Sequence, residues 1–170
     1  MANTSRPQGF KPVGQLLRVR PYRSAAAIYP GDPVKLDGGA ANATDLQSRV
    51  ALAAAGDAII GIAMSYASAA GKEVLVADHP DQLFMAECDG SEINENADLS
   101  LTIDFVAASP DTTYKVSRAV LDSSQTGTTT YPFRLLEISR MAKNEVGSKT
   151  KAVVVINNHQ LKGGTGTASV

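Results

Sequence analysis

The chain has no tryptophan, one cysteine, two histidines and only 5% aromatic residues. The lone thiol, Cys88, excludes a disulfide within the chain and so removes the stapled scaffold of small secreted domains. With so few rings, a core must be assembled mainly from Ala, Val, Ile and Leu, side chains that suit sheets and thin cores. No apolar run approaches the ~20 residues of a membrane helix, and the start MANTSRPQGF lacks the apolar stretch of a secretion signal. The expectation is a soluble, unexported chain. Its 170 residues fit one domain, a size that buries roughly 70% of the unfolded surface.

Net charge is −1, which gives nucleic acid no general reason to bind, yet the charges are sorted along the chain. Up to Arg23 the charged residues are Arg6, Lys11, Arg18, Arg20 and Arg23, all basic. From Asp78 to Asp111 the order reverses: Asp78, Asp81, Glu87, Asp89, Glu92, Glu95, Asp98, Asp104 and Asp111 occur without a Lys or Arg. Such sorting fits solvated faces; it also fits contact between subunits, with Arg18, Arg20 and Arg23 of one copy meeting Glu92, Glu95 and Asp98 of another.

Period-two alternation dominates the middle of the chain. Leu99, Leu101, Ile103 and Phe105 share one face of a stretch whose other face is polar, which predicts a half-buried strand. Ile60, Ile62, Met64 and Tyr66 share a face in the same way, opposite small residues. Further strands are predicted at Gly14 to Arg20, Val34 to Leu36, Val74 to Ala77, Leu83 to Cys88, Tyr114 to Arg118, Phe133 to Ser139 and Ala152 to Ile156. Turn chemistry separates them, at Pro30-Gly31-Asp32-Pro33, Asp37-Gly38-Gly39, Ala70-Gly71, Asp89-Gly90, Ser109-Pro110-Asp111 and Thr126-Gly127. Asp45 to Ala55 fits a capped helix and a strand equally well. The fold class predicted is mainly β, a small barrel or sandwich. Residues 1–12 form an extended N-terminal arm, residues 13–161 the β-rich domain, and residues 162–170 a short flexible Gly/Thr/Ser tail.

Reactive constellations are hard to assemble from these residues. Cys88 alternates with Phe84 and Ala86 on a face that reads as buried, so a core thiol is expected rather than a nucleophile. Asp78-His79-Pro80-Asp81 has ligand-type side chains, but Pro80 makes it a turn and no second cluster accompanies it; His159 follows Asn157 and Asn158 as a polar cap. Gly163-Gly164-Thr165-Gly166-Thr167 lacks the strand, helix and Lys of a phosphate loop. No catalytic, cofactor-binding or metal-binding residue is therefore assigned.

Five segments carry a resemblance when taken together: Gly9-Phe10-Lys11-Pro12-Val13, Gly31-Asp32-Pro33-Val34, Ile59-Ile60-Gly61-Ile62-Ala63, Asp78-His79-Pro80 and Ile156-Asn157-Asn158-His159-Gln160-Leu161. In this order the chain resembles the head decoration, or cement, proteins of tailed bacteriophages. The resemblance implies a barrel of the β-tulip or β-clip kind, often trimeric, without cofactor, that sits on the outer surface of an HK97-fold shell and binds its major capsid protein. It would be made in the host cytoplasm and reside on the virion, with neither membrane nor nucleic acid as partner. The arm, through Arg6, Pro7, Phe10, Lys11 and Pro12, would clamp neighbouring capsomers, since twelve extended residues reach roughly 40 Å. The Ala-rich stretch from Ala51 to Ala70 departs from the family pattern. The alternative is a small β-barrel enzyme or ligand-binding protein whose site is dispersed in sequence.

Overall fold

The computed structural model describes residues 3–38, 47–90, 93, 98–128 and 130–162, and among these every regular element is a strand. Five strands close into a barrel in the order β2, β4, β3, β5, β6: Val19–Ser24, Arg49–Leu52, Pro33–Leu36, Gly61–Ala63 and Glu73–Ala77. The other six form an antiparallel sheet in the order β1, β7, β11, β10, β8, β9: Lys11–Val13, Leu83–Glu87, Lys151–Ile156, Phe133–Ile138, Thr102–Val106 and Val120–Gly127. This sheet curls, because Cys88 at the end of β7 bridges Leu121 in β9, with Asp89 N donating to Leu121 O at 2.9 Å.

Each unit has its own core, and residue size explains the division. A barrel of only five strands leaves a narrow interior, since eight are needed for one that ordinary side chains fill comfortably. It is occupied by Val34, Val50, Ile60, Ala63, Val74 and Val76, together with Tyr22, Ile28 and Ala67. All four phenylalanines of the chain, Phe10, Phe84, Phe105 and Phe133, go instead to the larger core under the curled sheet. Ile59 and Ile62 belong to that larger core while Ile60 and Ala63 belong to the barrel. The run 59–63 is thus a wall shared by both units, which is why it reads as continuously apolar. Gly61 allows the wall to close: a Cβ there would lie 2.2 Å from Ala77 O.

The main-β barrel expectation holds, while several elements differ from their sequence reading. Gly14, at φ 73°, ends β1, so the strand expected over Gly14 to Arg20 is replaced by Lys11–Val13 and Val19–Ser24. Within the ambiguous stretch Arg49–Leu52 is strand and residues 53–55 leave it without regular structure, with no helix among its described residues; Asp45 lies outside the described residues. Ile60 and Ile62 do not share a face, because the alternation breaks at Gly61. β8 is buried on both faces, with Thr102 and Asp104 as well as Ile103 and Phe105 inside. The polar stretch Val120–Gly127 is a strand, although Thr126-Gly127 reads as a turn. Tyr114 to Arg118 is not a strand: Tyr114 and Lys115 lie within a turn closed by mutual Asp111 and Val116 backbone bonds of 2.9 and 3.2 Å.

The largest difference concerns the N-terminal arm. Its described residues lie along their own chain. Asn3 Nδ2 donates to Glu145 O and Ser148 O at 2.8 and 3.1 Å. Ser5 Oγ and Arg6 N donate to the two oxygens of the buried Glu87 carboxylate at 2.8 and 3.0 Å. Phe10 N donates to Gly31 O at 3.0 Å, and β1 then pairs with β7 as Lys11↔Met85, Pro12↔Phe84 and Val13↔Leu83.

Candidate functional site

Two clusters of polar side chains stand out, one buried and one open. The buried one centres on Asp78, just after β6. Arg18 Nε donates to its Oδ1 at 2.7 Å and Arg18 Nη2 to its backbone carbonyl at 2.8 Å. Arg20 Nε and Tyr22 Oη both donate to Oδ2, the latter at 2.6 Å, and Arg20 Nη2 reaches Tyr22 Oη at 2.9 Å. Alternation along β2 puts Arg20 and Tyr22 on one face, beside the turn that carries Asp78. Burial would raise the Asp78 pKa, but the donors Tyr22, Arg18 and Arg20 outweigh it and hold the carboxyl below its ordinary value. Burial and the adjoining Asp78 push the Tyr22 phenol up to about 12.

His159 adjoins this cluster from the C-terminal segment. It is 1% exposed, and its Nδ1 accepts from Leu161 N at 3.0 Å. Burial lowers its pKa to about 4, with the Asp78 backbone and charge partly opposing, so the imidazole is neutral near pH 7. The other histidine, His79, accepts from Asp81 N through Nδ1 at 3.1 Å within its own turn. Among the described residues no group of three or more His, Cys, Asp or Glu side chains is placed to hold a metal ion. Asp78 links β2, the turn after β6 and the last segment of the chain.

The charges read as intersubunit contacts are used differently. Arg18 and Arg20 pair with Asp78 of the same chain, and Arg23 Nη1 donates to Gly71 O at 3.3 Å. The basic beginning and the acidic middle thus meet within one molecule. Asp98 accepts from Thr126 Oγ1 at 3.4 Å, while Glu92 and Glu95 lie outside the described residues. Of the residues expected to clamp a partner, Phe10 is 1% exposed and belongs to the core. Pro7 and Pro12 are half-buried, Arg6 and Lys11 are exposed, and Lys11 Nζ donates to Gln8 Oε1.

The open cluster is a groove of about 600 Å³ between the N-terminal segment and the turn before β9, lined by Ser5, Arg6, Pro7, Gln8, Asp111, Tyr114, Val116 and Arg118. Asp111 organises one wall: its Oδ1 accepts from Thr113 N and Tyr114 N, both at 3.0 Å, and its Oδ2 accepts from Arg118 Nη2 at 2.6 Å. The Tyr114 amide first, and Arg118 next, hold the Asp111 pKa below its ordinary value. Tyr114 is 78% exposed at the tip. The sequence reading missed this site by taking 114 to 118 as a strand; the signal available was Asp111 followed by Thr112-Thr113, since an Asp side chain that caps the next amides makes a turn.

A second cleft, of about 360 Å³, is lined by alanines, prolines and Tyr29 around Asp32. Burial raises the Asp32 pKa, yet its carboxylate already accepts from Tyr29 N at 2.8 Å and from the Ser117 hydroxyl. Its hydrogen-bonding capacity serves the turn that it closes. Comparison with protein families, curated proteins and solved structures finds no match to the chain.

Proposed function

We propose that this chain is a virion structural protein, a decoration or cement protein that binds the outer surface of a phage capsid as a homo-oligomer, trimeric by preference. The observation that carries this reading is the way in which the five segments of the resemblance join. Phe10 N donates to Gly31 O, Gly31 N to Ala63 O and Ile60 N to Val34 O, at 3.0, 2.8 and 2.8 Å. Ile59 N donates to Asn158 O and Gln160 N to Ile59 O, both at 3.0 Å, while His159 adjoins Asp78. Segments scattered from residue 9 to residue 161 thus form one seam between barrel and sheet. That supports a shared architecture rather than chance likeness of separate turns.

In this reading the body itself meets the shell. The N-terminal segment is committed to Glu87, Gly31 and β7, so clamping falls to exposed side chains on a rigid surface instead of a free arm. Weak contacts repeated over many copies sum to firm attachment. Antibody raised against the purified chain, applied to phage particles from a culture that produces it, should label heads in a regular array. Antigen confined to the particle-free supernatant would refute the reading.

A further inference from the structure

We infer that the groove between Ser5–Gln8 and the Asp111–Arg118 turn is a docking surface for an acidic segment of a partner protein, with Tyr114 and Arg6 as its anchors. If the proposed function holds, that partner is the shell; the inference rests on that reading for the partner's identity only.

Exposure of a single tyrosine decides little by itself, because isolated surface apolar groups are ordinary. The backbone beneath Tyr114 is the stronger observation. Two amides are held by Asp111 Oδ1, Arg118 braces the same carboxylate, and the turn is closed by backbone bonds in both directions. The next residue, Lys115, sits at φ 53°, a conformation that non-glycine residues adopt at a cost and keep only where the surroundings fix it. Lys115 Nζ lies 5.3 Å from the centre of the Tyr66 ring, which adds a further tether. A ring presented on so constrained a turn loses little freedom when covered, and that is what makes tyrosine effective in interfaces.

The charge of the groove selects the partner. Arg6 is exposed, and its backbone is fixed by the hydrogen bond to Glu87, yet its guanidinium has no partner among the described residues. Arg118 is half-exposed and, among the described residues, pairs with Asp111 alone. Among the side chains that line the groove, Arg6 and Arg118 stand against one carboxylate, Asp111. Of the charged groups bound to its rim, Lys11 on Gln8 and Glu87 beneath Ser5 and Arg6, the two signs cancel, so one positive charge is in surplus. A carboxylate can bridge Arg6 in bidentate fashion while an apolar neighbour covers Tyr114. Nucleic acid fits less well: one surplus guanidinium beside a carboxylate, on a chain of net charge −1, releases few counterions.

The test is an amide-resolved titration of the ¹⁵N-labelled full chain with three probes: a hexapeptide of glutamates around one phenylalanine, the same peptide with lysine for glutamate, and an eight-residue oligothymidylate. The acidic peptide should shift amides at 5–8 and 111–118 and few others. Arg6→Glu and Tyr114→Ala should each weaken it by about tenfold or more, while Tyr114→Phe keeps binding. Arg6→Gln serves as a milder second variant, and unchanged amides elsewhere establish that the variants fold. No shift in these two segments, an equal response to the lysine peptide, or a response to the oligonucleotide alone would overturn the inference. Peptide binding without labelling of phage heads would leave the groove standing and remove the shell as its partner; labelled heads without peptide binding would do the reverse.

Discussion

The Phe10 ring lies on the Phe133 ring with centroids 4.5 Å apart and planes 13° from parallel, and both meet Phe105 edge-on at 6.3 and 5.9 Å. A residue ten positions from the start of the chain thus completes an aromatic cluster built by β8 and β10. The approach depends on two glycines. Gly9 and Gly31 have φ of 67° and 93°, and a Cβ on Gly9 would lie 2.6 Å from Gly31 O while one on Gly31 would lie 2.8 Å from Gln8 O.

Alanine at either close approach should therefore destabilise the protein. Gly31→Ala adds the strain of a positive φ to a backbone clash, and Gly61→Ala drives its methyl into Ala77 O. Each should lower the free energy of unfolding by about 1 to 3 kcal/mol, the usual cost of overpacking. Gly38→Ala, where a Cβ meets nothing within 4 Å, is the control and should be near neutral. Urea denaturation of the three variants checks this.

His159 should make stability depend on pH. Its folded pKa is lowered to about 4 from an ordinary 6.5, so as pH falls below 6.5 the unfolded chain takes up a proton that the folded chain refuses. The stability present at pH 7 is lost progressively until the folded group titrates near pH 4, a change of about 3 kcal/mol. The buried Asp32 and Asp104, whose pKa values are raised by burial, act in the opposite sense in the same range, so the comparison must be differential. Between pH 7 and pH 4 wild type should lose about this amount relative to His159→Gln. Parallel curves would exclude the histidine as the source.

Cys88 should be silent in the native protein. It is fully buried, and burial first, then Asp89 and Glu87, pushes its thiol up to about 12. Reaction with an aromatic disulfide at pH 8 should proceed at the rate of unfolding and become immediate in denaturant. Immediate reaction under native conditions would contradict the burial.

Alternation served best where a strand buries one face, and least where it buries two or none. Phe84, Ala86 and Cys88 share a buried face as their spacing predicts. Ile59 to Ala63 deceived because a wall between two cores is apolar on both sides, and a period cannot say which core each residue serves. Val120–Gly127 deceived in the other sense: Ser124 and Gln125 are exposed on an edge strand whose pairing with β8 shifts register between Ile103 and Asp104, so little apolar pattern remains. The sorted charges were visible, but Arg18 and Asp78 are 60 residues apart and only the fold shows that they meet. Phe10 was read as part of an arm because its neighbours are polar. One buried ring between two prolines carries no period.

Whether residues 1–12 belong to the fold is decided by removing them. The deletion takes away Phe10, most of β1 and both donors to the buried Glu87 carboxylate. Phe10→Ala alone should cost about 3 to 5 kcal/mol, a large share of the ~5 to 15 kcal/mol that holds a typical domain. Urea unfolding followed by circular dichroism should show a weakened cooperative transition for Phe10→Ala and no native baseline for the deletion. A truncated chain that unfolds cooperatively at the wild-type midpoint would show that the segment is a free arm after all.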